Sequence, residues 1–388
     1  MKKILSTALA GFMATSLVAC SSGSTSTSQG GTSASTESEM KVAMVTDYGD
    51  ITDQSFNQTT YEASKSWSEA NDVEFNYFKP ATNEDADRVA SIEEAIEQGY
   101  NVIVMPGFAF APAVVEVAPE YPDVKFVALD VSQYDLDTAA GTEGWESDNT
   151  FCAIYQEEIA GYMAGVAAVK LGYKKLGFLG GMAVPAVIRY GYGFVQGAEA
   201  AAKEIGATDI EIKYAYGNQF YGDADITARM DTWYGAGTEV VFACGGGIFS
   251  SAAEAAAKTN GKVIGVDVDQ AATIDGDYGE GMTVTSAMKG LAPTTKDTLT
   301  DIVLNGNWSK YAGKISTLGL VSGDDPTINY VQIPMESTQW AEGKFTQNDY
   351  KALVKAMFDG TIKVSNSSDT NNMPKTTNTT ISDQGRIK

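Results

Sequence analysis

The sequence predicts an α/β protein built as two doubly wound lobes, each a parallel sheet covered on both faces by helices. Three observations carry this. From residue 41 to about 305, short apolar runs alternate with longer amphipathic ones, the βαβα rhythm of a parallel sheet. The chain has 388 residues, enough for two or three domains. Its composition, 44% hydrophobic and 20% charged, is ordinary for a protein with a sizeable core.

The elements follow in order. Residues 1–19 read as an export signal: Lys2 and Lys3 form a positive n-region, and a mostly apolar stretch over 4–18 follows. Leu17-Val18-Ala19-Cys20 resembles the lipobox of bacterial lipoproteins, which are cut before a cysteine that then carries diacylglycerol. Cys20 is therefore the expected lipidation site. After it, residues 21–39 are Ser, Thr and Gly with almost no apolar content, so residues 20–39 are expected to be a lipidated cysteine and a flexible tether. An anchor plus a tether holds a folded part in water at the extracytoplasmic face of the cell membrane. No later segment approaches the ~20 apolar residues of a transmembrane helix.

Strands are predicted over 41–47, 73–79, 102–106 and 125–130, with helices over 55–70, 85–98 and 111–118 between them. A second series runs helix 157–170, strand 175–179, helix 187–205, strand 210–216 and helix 224–234. It continues through strand 239–244, helix 250–258 and strand 262–267. Strand 282–287 and helix 293–304 come next, then 314–321, 327–333 and a last helix over 347–358. These are divided here into an N-terminal lobe of 40–149 plus 270–305 and a C-terminal lobe of 150–269 plus 306–365. A polar tail over 366–388 is expected to lack order.

Charge and composition remove several function classes. The formal net charge is −23, and no basic stripe is present to bind a nucleic-acid backbone. There is no histidine, so Ser-His-Asp and Cys-His catalysis and His-containing zinc sites are impossible. The three cysteines are Cys20, Cys152 and Cys244, with no C-x-x-C spacing. A Cys152–Cys244 bridge stays open, but both lie in apolar runs, which favours small buried thiols.

The stretch VAMVTDYGDITDQSFNQ (42–58) is the first candidate site. It is a short apolar strand, a polar turn with Gly49, and a helix start where Ser55 and Gln58 have capping-box spacing. Asp47 thus falls at the carboxyl end of a strand and Phe56 and Asn57 in the next helix's first turn, the edge where open α/β sheets bind ligands. Asp47, Asp50 and Asp53 also raise a calcium reading, but the spacing fails the D-x-D-x-D-G loop. A ligand-contacting Asp47 with structural Asp50 and Asp53 is preferred. In the second series YGNQFYGD (216–223) repeats the design, with Phe220 as counterpart to Phe56. Two rings from two lobes can sandwich a flat base, each stack worth about 1–3 kcal/mol. Cys244-Gly245-Gly246-Gly247 is a glycine loop without a phosphate- or dinucleotide-binding pattern. Asp267 ends a strand where it could accept from vicinal hydroxyls. Lys289 ends the next and either donates to those hydroxyls or pairs with a carboxylate.

With these residues in hand, the sequence resembles the basic membrane protein (Bmp) family, the purine nucleoside receptor A-like substrate-binding lipoproteins of ABC transporters. The resemblance rests on VTDYGDITDQSFNQ, MPGFAFAPAVVEVAPEYPDVKFVALD, EEIAGYMAGVAA, KLGFLGGMAVPAVIRYGYGFVQG and VIGVDVDQ with TSAMKG, and it covers nearly the whole mature chain. It implies a type I periplasmic-binding-protein fold, two lobes joined by crossover hinge strands and closing over a nucleoside. By that analogy Asp47 and Asn57 would contact the base, and Phe56 and Phe220 would stack on its faces. Asp267 and Lys289 would hold the ribose hydroxyls, helped by backbone at Gly246, with Asp130 and Phe108 lining the first lobe's wall. The extra Tyr221 after Phe220 blurs which ring stacks.

The resulting expectation is a non-catalytic receptor that captures a neutral, preferably purine, nucleoside and delivers it to permease subunits. No cofactor and no nucleic-acid partner are expected, and the chain is expected to act as a monomer. The rival readings are a same-fold receptor for a sugar or autoinducer and a secreted nucleoside hydrolase.

Overall fold

The computed structural model describes residues 39–47 and 49–388. The export signal, Cys20 and nearly all of the tether lie outside the described residues. The first strands and helices are β1 (Val42–Val45), α1 (Phe56–Ala70), β2 (Phe75–Phe78), α2 (Asp85–Glu97), β3 (Val102–Pro106) and α3 (Ala111–Glu120). Next come β4 (Lys125–Leu129), α4 (Gln133–Ala140), β5 (Thr150–Tyr155), α5 (Glu157–Leu171), β6 (Lys175–Gly180) and α6 (Pro185–Ile205). Then follow β7 (Ile210–Tyr216), α7 (Ala224–Gly235), β8 (Val240–Cys244), α8 (Phe249–Ala257), β9 (Lys262–Asp267) and α9 (Ala271–Tyr278). The last are β10 (Thr283–Lys289), α10 (Leu291–Leu299), β11 (Lys314–Leu318), β12 (Val331–Gln332), α11 (Gln347–Phe358) and β13 (Thr379–Arg386).

Among the described residues the strands form two sheets, of order β11-β5-β4-β3-β1-β2 and β12-β10-β9-β8-β6-β7-β13. All neighbours are parallel except the edge pair β10–β12. Parallel sheets need both faces covered, and the strands show it in their composition. In β3, Val102 and Val104 enter one core while Ile103 and Met105 enter another, so a continuous apolar run still alternates. In β8, Val240, Phe242 and Cys244 face the core shared with β3, and Val241 and Ala243 face a third. Helices α5 and α6 lie against each other within the shared core. They cross at backbone distance, because a Cβ on Gly161, Gly165, Gly193 or Gly197 would collide with carbonyl groups of the facing helix. That close crossing sets Glu157, at the start of α5, beside Arg189 of α6.

Four parts of the expected layout are corrected. Strand β10, placed by sequence in the N-terminal lobe, pairs with β9 in the second sheet, with Ala287 opposite Val266. Strand β11, placed in the C-terminal lobe, pairs with β5 in the first sheet. The chain therefore crosses after Lys289, not at 270, and crosses back between Leu318 and Val331. The cause is α9: parallel neighbours need a crossover helix, and Ala271–Tyr278 has too little apolar periodicity to be recognised as one. Third, the tail over 366–388 is not without structure, since β13 adds to the second sheet beside β7. Helix α4 was unforeseen, and so was β5, which the expected boundary at 149/150 placed in the C-terminal lobe but which pairs with β4 in the first sheet, so the first crossing follows Tyr155.

Candidate functional site

In each sheet the strand order reverses once among the consecutive strands, between β1 and β3 and between β6 and β8. The carboxyl edge beside such a reversal is a crevice where doubly wound sheets bind ligands. Here the two crevices face each other and enclose one cavity of ≈ 540 Å³. The loops after β1, β3 and β4 supply Asp47, Phe108 and Asp130, and the start of α1 supplies Phe56 and Asn57. The loops after β7 and β8 supply Phe220 and Gly246, and β9 and β10 end in Asp267 and Lys289. All nine sequence-predicted ligand-binding residues line this one cavity.

The expected capping box is replaced. Ser55 is the N-cap of α1 but its side chain makes no cap hydrogen bond. Asp53 takes that role, accepting from the backbone N–H groups of Ser55, Asn57 and Gln58 at 2.9, 2.9 and 3.0 Å. Burial raises the Asp53 carboxyl above its ordinary range, with those N–H donors pulling the other way. Gln58 instead accepts from the N–H of Gln54. Freed from capping, the Ser55 hydroxyl crosses the cleft and donates to Asp267 Oδ2 at 2.6 Å. Gln270 Nε2 likewise donates to the Gln54 carbonyl at 3.0 Å. The lobes are in direct contact, a closed arrangement. Asp50 pairs with Lys79 at the cavity rim, 3.1 Å apart.

At the Asp47 end, the Gly49 N–H donates to Asp47 Oδ1 at 2.6 Å. Gly107 adopts φ 129°, open to glycine but rarely to other residues, and a Cβ there would sit 2.9 Å from Asp47 Oδ2. Asn57 donates from Nδ2 to Asp53 Oδ2 at 3.2 Å, and its buried Oδ1 has no partner in the protein.

At the other end Lys289, 5% exposed, is enclosed by carboxylates. Its Nζ lies 2.7 Å from Asp130 Oδ2, 3.4 Å from Glu157 Oε1 and 3.9 Å from Asp267 Oδ1. It also stands over the rings of Phe56, Tyr155 and Tyr190, at 4.7, 5.4 and 5.8 Å. Burial works against the ammonium charge, but Asp130, Glu157 and Asp267 outweigh it and hold Lys289 above the ordinary lysine range. Asp130 is driven up by burial and by Glu157, against the pull of Lys289. Glu157 is fully buried and is nevertheless held below the usual range, because Arg189, 2.7 Å away, and Lys289 overcome the burial. Asp130 and Asp267 both adopt left-handed backbone, φ 63° and 65°, at equivalent strand ends of the two sheets. Such strain costs on the order of 1–3 kcal/mol and concentrates where side chains must be aimed.

The Phe220 ring rests on glycine. A Cβ on Gly181 would overlap it, and one on Gly245 would come within 2.8 Å. Phe220 is half-buried, whereas Tyr221 lines the same cavity while 61% exposed. Cys152 and Cys244 lie in different sheets and are free buried thiols. Among the described residues no helix is long and apolar enough to cross a membrane.

The family described as ABC transporter substrate-binding protein PnrA-like (Bmp) matches residues 40–332. The chain belongs to this family. Relatives include the Lactococcus lactis subsp. cremoris (strain MG1363) protein named ABC transporter nucleoside-binding protein BmpA. It is 31% identical over 266 residues, covering 65% of this chain and 71% of that protein. An uncharacterized lipoprotein of Pyrococcus abyssi (strain GE5 / Orsay) is 27% identical over 303 residues, covering 75% of this chain and 70% of that one. Among solved structures, the solute-binding protein of an ABC transporter system from Aeropyrum pernix K1 superposes with a TM-score of 0.64. Identity there is 21%, over 84% of this chain and 87% of that one, a likeness that concerns the fold alone. The fold is that of type I periplasmic solute-binding proteins.

Within this Bmp-family framework the sequence reading missed Glu157, Arg189, Tyr190 and the second role of Ser55. Glu157-Glu158 opens a helix, where acidic residues are unremarkable. Only the α5–α6 crossing reveals that Glu157 is buried against Arg189.

Proposed function

We propose that this substrate-binding protein captures a nucleoside, with purines preferred, between its lobes and presents it to ABC permease subunits without catalysing a reaction. The observation that carries the reading is the cavity between the lobes, lined by Phe56 from one lobe and Phe220 from the other and by the carboxylates of Asp47, Asp130 and Asp267. Its volume suits a small ligand. Asp47 and the unpartnered Asn57 Oδ1 offer acceptors to the N–H edge of a base. Asp130, Asp267 and Lys289 offer acceptors and a donor to ribose hydroxyls. A phosphate is disfavoured, because the Lys289 charge already belongs to Asp130 and Glu157, and Lys79, the other lysine lining the cavity, is paired with Asp50. Capture is supported over metal-assisted hydrolysis by the positions of Asp50 and Asp53, one paired with Lys79 and the other capping α1. The relative named as a lipoprotein supports anchoring through Cys20, and the protein acts as a monomer held at the cell membrane.

Isothermal titration against inosine, guanosine, adenosine, cytidine and free ribose tests this. The reading expects purine nucleosides to bind at least tenfold tighter than ribose, about 1.4 kcal/mol. Binding of sugars alone would replace the nucleoside reading with that of a sugar receptor. Release of hypoxanthine from inosine, followed by chromatography, would overturn the absence of catalysis.

A further inference from the structure

Strand β13 lies outside the span of the family match, which ends at residue 332. It runs parallel to β7, with Ile381 opposite Ile212 and Asp383 opposite Tyr214. Being parallel, it must end at the same edge of the sheet as β7, and that edge is the cavity. The Ile387 N–H donates to the Tyr216 carbonyl at 2.9 Å, extending the ladder to the point where the Phe220 loop begins. Lys388 then reaches across that loop. Its Nζ is ion-paired with Asp223 Oδ2 and donates to Gln219 Oε1 at 3.3 Å. Those two side chains flank Phe220 and Tyr221. Asp223 caps α7 by accepting from the N–H groups of Asp225 and Ile226, both at 3.0 Å. Gln219 donates to Asp223 at 2.8 Å and to the Tyr221 carbonyl at 2.9 Å.

The far end of the strand is held just as firmly. Glu199 on α6 accepts from the backbone N–H groups of Thr377, Asn378 and Thr379 at 2.9–3.0 Å. Midway, Gln384 Oε1 accepts from Trp233 Nε1 at 2.9 Å and Arg229 Nη1 at 3.1 Å. The strand is thus tied down along its length and delivers one cation to the loop that carries an aromatic wall of the cavity.

We propose that Thr379–Lys388 is a positioning element of the ligand site, with Lys388 holding Gln219 and Asp223 so that Phe220 is pre-set for stacking. This rests on the nucleoside reading for its ligand, but the ordering of the loop is measurable without one. Hydrogen–deuterium exchange on the purified chain reads the loop directly. In Lys388→Met, exchange across residues 217–223 should quicken several-fold while β9 and β10 stay unchanged, and Lys388→Arg should restore protection. Titration with inosine should show affinity falling about three- to tenfold in Lys388→Met, and less than about twofold further when Phe220→Ala is already present. Wild-type exchange of 217–223 in Lys388→Met would overturn the proposal. So would an equal loss of affinity with and without Phe220, since Lys388 would then not act through that ring. If the wild type takes up no inosine, the nucleoside reading falls while the exchange measurement still decides whether β13 orders the loop.

Discussion

The two ends of the cavity are built on opposite principles. The Lys289 end is a closed set of charges drawn from both lobes: Asp130 from the loop after β4, Glu157 from α5, Asp267 from β9 and the lysine from β10. The Asp47 end comes from one lobe, and Asn57 Oδ1 is buried there without a protein partner. A buried charge costs several kcal/mol unless neighbours compensate it, so the Lys289 end has to be organised by the protein itself. A neutral acceptor left open costs less, about 1–3 kcal/mol, and a ligand donor can recover it. One end therefore aims groups that are already neutralised, and the other waits for its partner.

Breaking the charged end should have the largest effect. Lys289→Met removes the cation shared by Asp130, Glu157 and Asp267, leaving only Glu157 with Arg189, and should destabilise the fold by about 3–5 kcal/mol, read by urea unfolding. Adding Asp130→Asn should recover part of that loss; no recovery would mean that the three carboxylates do not share the lysine.

The next test concerns Glu158, whose carboxyl is raised to about 7 by burial and by the neighbouring charge of Glu157. Its Oε2 has no hydrogen-bond partner, and Arg189 reaches it only as a long ion pair at 4.0 Å. A carboxyl whose folded-state value is raised contributes stability that is complete below its unfolded value and is lost as pH rises through about 7. Glu158→Gln should therefore raise the melting temperature at about pH 8, by roughly 2 kcal/mol of stability, and leave it nearly unchanged at about pH 4. Equal shifts at the two pH values would show that Glu158 is not protonated by its surroundings.

The smallest effects concern the ligand. Phe56→Ala and Asp267→Ala should each weaken nucleoside binding tenfold or more, about 1.4 kcal/mol per decade. Asp267→Ala should also loosen the lobes, since it removes the acceptor of the Ser55 hydroxyl. Wild-type affinity in both variants would refute the site assignment.

Much of this was readable in one dimension. The βα alternation, the strand-end positions of Asp47, Asp130, Asp267 and Lys289, and the placing of Phe56 and Phe220 in loops at the cavity follow from local patterns, because strand ends and turn residues carry their own chemistry. The sequence determined that carboxylates and rings would gather at carboxyl edges of parallel strands. It also determined, by having no histidine, which chemistries are closed to the chain. Sheet membership of β10 and β11 was not local, since it depends on which strand a weakly patterned helix such as α9 leads back to. Nor was the exchange of roles between Ser55 and Asp53, because a capping serine and one bridging two lobes look alike until Asp267 is placed opposite. The burial of Glu157 required two glycine-faced helices to meet. Tertiary structure alone decided these points, because each depends on a distant partner supplying the missing charge or hydrogen bond.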